Sequence, residues 1–366
     1  MNKNKILILV PDLFKPGGIA NYYKVIRNYF TIGIDFFNRG TKVKSISKYV
    51  DFVFDLINFI LVVLENKHLI FIINNSTGQL SFFRDYQFIK ILRFLNKRYI
   101  IFFRGWSDES AEYIIKQNKY KRALENSSAL IVLSKEFKTK LRKWGIKQPI
   151  YIETTAFDDD LIKNISMNVP KKNKQINLLF LARVEKTKGI YELLDAYKLL
   201  KSKFPFLTLT IAGDGSVLKD VKLQVKEKNL QNIKFTGYVK SEKKKEIFLK
   251  SDIYIFPSFH GEGMPNSVLE AMAFGLPVIT RSVGGLKDFF EDGRMGFMTE
   301  SKAPAALAKL IEKLISNQKL IAEISDYNKN YAKKNFMASN VAKRTEKIYS
   351  EVLEGTAHDS SWQDTN

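Results

Sequence analysis

The chain has 366 residues, 45% hydrophobic and 27% charged, enough for two domains that each bury a core. It has no cysteine and only three histidines, His68, His260 and His358, far apart in sequence, which excludes disulfides and thiolate metal sites and argues against zinc. The formal net charge of +21 is shared by both halves and favours an anionic partner: nucleic acid, anionic lipid or an anionic substrate.

The N-terminal MNKNKILILVPDLF has too short an apolar core for a signal peptide and no small-residue cleavage site, so it reads as a buried first strand. Strand candidates follow at 5–10, 42–46, 69–74, 99–103 and 129–133, with helical patterns between them. Gly17 and Gly18 fall between the first strand and the first helix, a candidate phosphate-facing loop that lacks the G-x-G-x-x-G spacing of a dinucleotide site. The longest apolar run, 52–64, contains Asp55 and Asn58 and is too short for a bilayer, which takes about 20 residues. Basic clusters at 90–99, 116–122 and 135–144 are interrupted by aromatic residues, and each can equally be a solvated helix face. The aromatics of NYYKVIRNYF (21–30) and DFFNRG (35–40) suit contact with anionic lipid, or else they pack the N-terminal core. Arg104 follows the apolar run 99–103 and precedes Gly105 and Trp106, which puts it at the carboxyl edge of a parallel sheet. Its planar fork of donors suits a phosphate or an acidic sugar, unless it pairs with Asp108 or Glu109 and orders the loop. The polar segment 158–175 marks an interdomain linker, and Asp158, Asp159 and Asp160 within it read as a solvated charge run.

The second half offers strands at 176–182, 207–213, 233–239, 253–258 and 276–280. Strands alternating with helices imply right-handed crossovers, so the chain reads as two doubly wound α/β domains facing a cleft, with ligands at the carboxyl ends of the strands. Arg183 and Lys188 lie just after a strand, with Gly189 before a helix, a pair of cations suited to a diphosphate. Gly213 in AGDG and the GYV turn ending at Val239 are strand-end positions where backbone can approach a base or sugar. HGEGMPNSVLEAMAFGLPVIT (260–280) then sets Glu262 and Glu270 eight apart across a loop-to-helix junction. Pro265 can open that helix, Asn266 or Ser267 can cap it, and the Ser267 and Val268 amides can face an anion. Glu262 can accept from sugar hydroxyls and Glu270 from a ribose, whereas the plainer alternative is an amphipathic helix with two solvated acids. The last dozen residues are polar and read as disordered.

Gly17 and Gly18, Arg183 with Lys188 and Gly189, Gly213 with Gly215, Gly237, and Glu262 with Glu270 occur in an order that resembles the retaining glycosyltransferases of family 4, with their GT-B fold and E-x7-E motif. The resemblance covers roughly 5–350. It implies an N-terminal acceptor-binding domain at 1–160, a nucleotide-sugar-binding domain at 170–337, a helix at 338–353 that crosses back to the first, and a tail at 354–366. It implies that Arg183 and Lys188 hold the donor diphosphate, that Glu262 contacts the transferred sugar and that Glu270 binds the ribose. Glu262, Arg183 and Lys188 are then the catalytic set. Donor binding falls to these with Gly17, Gly18, Gly213, Val239, Gly263, Met264, Pro265, Asn266, Ser267, Val268 and Glu270, and the acceptor side to Arg104 and Trp106. Transfer from a UDP-sugar to a glycan or polyprenyl-diphosphate-linked acceptor at the cytoplasmic membrane face is the expected activity, without cofactor, metal or nucleic acid. A non-transferring relative such as a nucleotide-sugar epimerase, or a basic nucleic-acid-binding protein, is the alternative. Two departures concern the acceptor side. ETTAFDDD (153–160) replaces an Asn-Gly-Val-Asp turn, and Arg104 with Gly105 replaces a His-Gly.

Overall fold

A computed structural model describes residues 5–15, 17–40, 48–65, 67–76, 78–163, 175–259 and 262–365. The chain divides into two compact units, one made of 1–156, 261–264 and 338–366 and the other of 157–260 and 265–337.

The first unit follows the alternation of apolar runs and amphipathic stretches. In chain order it contains β1 (Ile6–Pro11), α1 (Gly18–Ile26), β2 (Ile34–Arg39), α2 (Lys48–Leu64), β3 (Ile70–Ser76), α3 (Gln79–Phe94) and β4 (Arg98–Gly105). There follow α4 (Asp108–Lys116), α5 (Asn118–Glu125), β5 (Ala129–Val132), α6 (Lys135–Lys143) and β6 (Ile150–Ile152). The strands pair in parallel in the order β2-β1-β3-β4-β5-β6. Central strands such as ILILV and IFII are buried along their whole length, as a sheet covered on both faces requires. The winding direction reverses between β1 and β3, and ligands of doubly wound sheets bind where the order reverses.

The second unit contains β7 (Ile176–Leu181), α7 (Ile190–Lys201), β8 (Leu207–Ala212), α8 (Leu218–Glu227), β9 (Ile233–Gly237), α9 (Ser241–Leu249) and β10 (Ile253–Phe256). It continues with α10 (Asn266–Ala273), β11 (Val278–Thr280), β12 (Gly296–Met298), α11 (Pro304–Ile315) and α12 (Gln318–Phe336). Its parallel sheet runs β12-β11-β10-β7-β8-β9, so the reversal lies between β7 and β10. Leu178, Phe180, Leu193, Leu194, Leu209, Ile211, Ile255 and Ile311 are among the residues of its core. Phe157 and Met337, where the chain enters and leaves this unit, pair in a parallel bridge.

After Met337 the chain forms α13 (Ala338–Glu354), which belongs to the first unit. Inside that unit its Arg344 clamps the buried Glu153 at the end of β6, donating from Nε and Nη2, and Glu346 accepts from the Thr31 hydroxyl at 3.0 Å and from the Ile32 amide at 3.0 Å. Breaking such a buried pair leaves an uncompensated charge, so the helix is anchored by more than its apolar face.

Several expectations are corrected. The strand expected at 42–46 lies outside the described residues, and β2 is a strand that was not expected, in the stretch whose aromatics were offered to lipid. Tyr22 and Tyr23 are fully buried, and Phe36 and Phe37 pack edge-to-face on Tyr23 and Phe59, so these rings build the core. β6 and β12, at three residues each, are too short to show a period. Most of the expected linker, 164–174, is outside the described residues. The tail is not disordered: β13 (Ser360–Ser361) adds to the edge of the sheet beside β6, Asp359 accepts from the Ile150 amide at 2.8 Å, and Trp362 is 3% exposed. A polar composition concealed one anchoring ring.

Trp362→Ala is expected to cost about 3 kcal/mol of unfolding free energy, as for other buried large-to-small changes. Denaturant unfolding checks it, and a loss under about 0.5 kcal/mol, the range of surface substitutions, would return the tail to the solvent.

Candidate functional site

In the second unit the loops leaving β7 and β10 meet where the winding reverses. The first begins with Arg183, whose side chain is 68% exposed and pairs with Glu185 at 2.7 Å. A short 3-10 turn, Lys186–Lys188, follows and ends at Gly189, whose φ of +76° is left-handed. A Cβ there would lie 2.3 Å from the Pro257 carbonyl oxygen, so no other residue allows the two loops this approach. The Phe259 amide donates to the Thr187 carbonyl at 3.1 Å and locks the loops further. Lys188, at the end of that turn, is only 5% exposed. The Val184 amide bonds the Asp214 carbonyl at 2.9 Å and the Gly213 amide bonds Gly237 at 2.8 Å, which ties the turns after β8 and β9 to the same edge. Val239 is buried just beyond.

α10 opens at this edge. Pro265 stands at its cap position without a side-chain cap, so neither Asn266 nor Ser267 caps it. Asn266 is the first helical residue, and the Ser267 hydroxyl lies 2.7 Å from that of Tyr254. The Val268 amide is used internally, donating to the Pro265 carbonyl at 3.1 Å. The Asn266 and Ser267 amides have no acceptor among the described residues and mark the positive end of the helix. Glu270, one turn in, is 8% exposed and accepts from Lys244 of α9. Sequence reasoning missed Lys244, which sits in the run KSEKKKEIF where no spacing sets one lysine apart.

Glu262 and Gly263, with the buried Met264, belong to the first unit, so the motif is divided between the two units. In that unit the first turn of α1 also lacks a side-chain cap. Gly17 and Gly18, whose added Cβ atoms would meet open space, line a cavity of about 320 Å³ with Asp12, Lys15, Ile19 and Arg39. Arg39 is buried and ion-paired with Asp85, and burial pushes its guanidinium below the usual value. Arg104 closes β4 against the rings of Tyr22 and Phe102, and burial raises the Tyr22 hydroxyl above the ordinary phenol range despite that cation. Trp106 is buried: its ring stacks on Phe137 at 4.6 Å and on Trp144 at 6.0 Å, and its Nε1 donates to Asp108 at 2.8 Å. Its ring is thus built into the packing of this loop. The Glu153–Arg344 pair was also missed, because nothing local announces that an acid at a strand end meets an arginine 191 positions later.

Residues 162–331 match the family model for glycosyl transferases group 1. An uncharacterised glycosyltransferase of Methanocaldococcus jannaschii is 28% identical over 292 residues, 68% of this chain and 74% of that protein. The capsular polysaccharide biosynthesis glycosyltransferase CapM of Staphylococcus aureus is 27% identical over 226 residues, 60% of this chain and 57% of CapM. Anabaena HepE, solved with UDP, superposes with a TM-score of 0.75 at 17% identity, covering 95% of this chain and 100% of HepE. With two parallel doubly wound sheets and these structural neighbours the chain has the GT-B fold, and over residues 162–331 it is similar to the glycosyl transferases of group 1.

Proposed function

We propose that the protein is a retaining glycosyltransferase that moves a sugar from a UDP-sugar to a glycan acceptor, lipid-linked and presented at the cytoplasmic face of the membrane, in the synthesis of a surface polysaccharide. The observation that carries the donor reading is the gathering of Arg183, Lys188, the open amides of α10 and Glu270 at the reversal point of one sheet. Cations and a helix N-terminus suit a diphosphate, and a buried carboxylate oriented by Lys244 suits the two hydroxyls of a ribose. HepE is known in complex with UDP-glucose, and CapM is named for capsular polysaccharide biosynthesis, which favours this donor class and pathway type.

In this reading the acceptor oxygen attacks the anomeric carbon from the face that the diphosphate leaves. The bond from that carbon to the diphosphate oxygen breaks, and the acceptor proton passes to the departing phosphate. The protein positions both substrates and stabilises the charge that develops on the diphosphate with Arg183, Lys188 and the helix amides, without a divalent metal. Glu262 holds the sugar.

Membrane recruitment is assigned to α2 in place of the aromatics first offered for it. Tyr49, Val50, Val53, Phe54, Ile57, Ile60, Leu61 and Leu64 are all exposed and recur every three or four residues, which makes one apolar stripe. On α3, which packs beside it, Leu80, Phe83 and Phe94 are exposed together with Arg84 and Lys90, and no carboxylate is exposed on either helix. An apolar stripe edged by cations suits an anionic bilayer surface. Among the described residues no helix is long and apolar enough to cross a membrane.

Glu270→Ala is expected to weaken UDP binding by about 1 to 3 kcal/mol, since it removes a charged acceptor. Glu262→Ala is expected to lower turnover while UDP affinity changes by less than about twofold, the signature of a contact made to the sugar. Calorimetry and steady-state kinetics with EDTA present check both. Unchanged UDP binding in the first variant, full turnover in the second, or activity that needs added Mg or Mn would each overturn part of the proposal.

Val53→Glu with Leu61→Glu places two charges on the α2 stripe without touching the core. Vesicles of phosphatidylcholine with phosphatidylglycerol should bind the parent at low salt, and the double variant at least about tenfold less, since each lost apolar contact is worth about 1.5 kcal/mol or more. Equal binding of both proteins in a sedimentation assay would remove α2 from any membrane role.

A further inference from the structure

Arg104 stands in a setting that its own unit leaves incomplete. Its guanidinium carbon lies 3.6 Å from the ring centre of Tyr22 and 4.3 Å from that of Phe102, two rings set nearly perpendicular at 6.1 Å. The planar group is thus held in a corner of aromatic surface, which fixes its orientation and supplies weak attraction to the charge. Its Nη1 is buried and has no hydrogen-bond acceptor among the described residues. Rings cannot take the place of that acceptor, and a donor withdrawn from water without one is costly.

The acids nearest Arg104 in sequence and in charge are committed elsewhere. Asp108 accepts from Trp106 Nε1 at 2.8 Å and from Lys140 Nζ at 2.6 Å, and Glu109 forms no ion pair with Arg104. Glu153, whose charge acts on Tyr22, is taken by Arg344 and by the Thr154 amide. No carboxylate lies within ion-pair distance of Arg104 among the described residues. Both pairing partners that the sequence offers are therefore ruled out.

Gly263 joins this corner to the segment that carries Glu262. A Cβ on Gly263 would lie 2.8 Å from the Arg104 carbonyl oxygen and 2.8 Å from Leu133 Cδ1, so a glycine is what lets that segment settle on the end of β4 within the first unit. The cations placed around the donor diphosphate, Arg183 and Lys188, are on the other unit.

We propose that Arg104 is an anion subsite of the first unit that takes a phosphoryl or carboxylate group of the acceptor through the fork of its guanidinium. The proposal rests on the reading of the protein as a transferase whose first unit receives the acceptor. The fork accepts two oxygens at once, so geometry as well as charge selects the ligand.

The test uses the full chain saturated with UDP, into which methyl phosphate and, separately, acetate are titrated by calorimetry. The parent should bind at least one of them, Arg104→Ala should weaken that binding at least tenfold, and Arg104→Lys should fall between, because it keeps the charge and loses the fork. The preferred anion tells a phosphorylated acceptor from an acidic sugar. Arg104→Gln keeps a planar group against the rings and carries the same comparison if the alanine variant does not fold. UDP affinity, measured first, reports on the donor reading alone, and the anion titrations are compared between parent and variants whether or not UDP binds. A parent that binds neither anion, or an Arg104→Ala or Arg104→Gln variant that binds as the parent does, overturns the subsite.

Discussion

Gly189 has no side chain, and the proposed donor site depends on that. Its left-handed backbone brings the loop after β7 against the Pro257 carbonyl, and the Phe259 amide then bonds to Thr187. Only with the two loops in register does the turn holding Arg183 and Lys188 share an edge with the start of α10. The sheet order places both loops at the reversal point, where no crossover helix covers the strand ends. Sequence supplies the glycine, the parallel sheet supplies the edge, and the charged groups follow from the two together.

Charge is distributed in the two units by different rules. In the second unit Glu270 is buried and held by a lysine from a neighbouring helix, so its orientation is set before any ligand arrives. In the first unit buried ion pairs serve cohesion: Arg39 with Asp85 ties β2 to α3, and Glu153 with Arg344 ties β6 to α13. Each pair is costly to break by removing one member, because the remaining ion keeps its desolvation penalty. Arg104 differs from these in having rings where the others have a carboxylate.

Much of the fold was legible because parallel strands buried on both faces read as short, continuous β-branched runs. Nine of the ten strand candidates correspond to observed strands, and the exception falls outside the described residues. What escaped has identifiable physical reasons. β2 carries half-buried aromatics that read equally as surface, and β6 and β12 are three residues long. The tail depends on Trp362 fitting a pocket of the first unit, which composition cannot register. At the site, the glycines and the cations after β7 were legible from order and spacing. Lys244 and Arg344 were not, since each meets its acid through tertiary packing alone. Ser267 was misread as a cap because the hydroxyl of Tyr254, thirteen positions earlier, engages it first.

The central claim is that the edge formed by the β7 and β10 loops binds a nucleoside diphosphate. A ligand that binds the native chain alone raises its melting temperature in proportion to the logarithm of its concentration above the dissociation constant. The most direct measurement is therefore a thermal-shift titration of the full chain with UDP, beside UMP, uridine, ADP and GDP. The account predicts a saturable rise with UDP that far exceeds the rise with UMP or uridine, because the second phosphate is what Arg183, Lys188 and the α10 amides are arranged to hold. Equal shifts with UDP and UMP, or no shift with any of the nucleoside diphosphates on a chain that melts cooperatively, would contradict it.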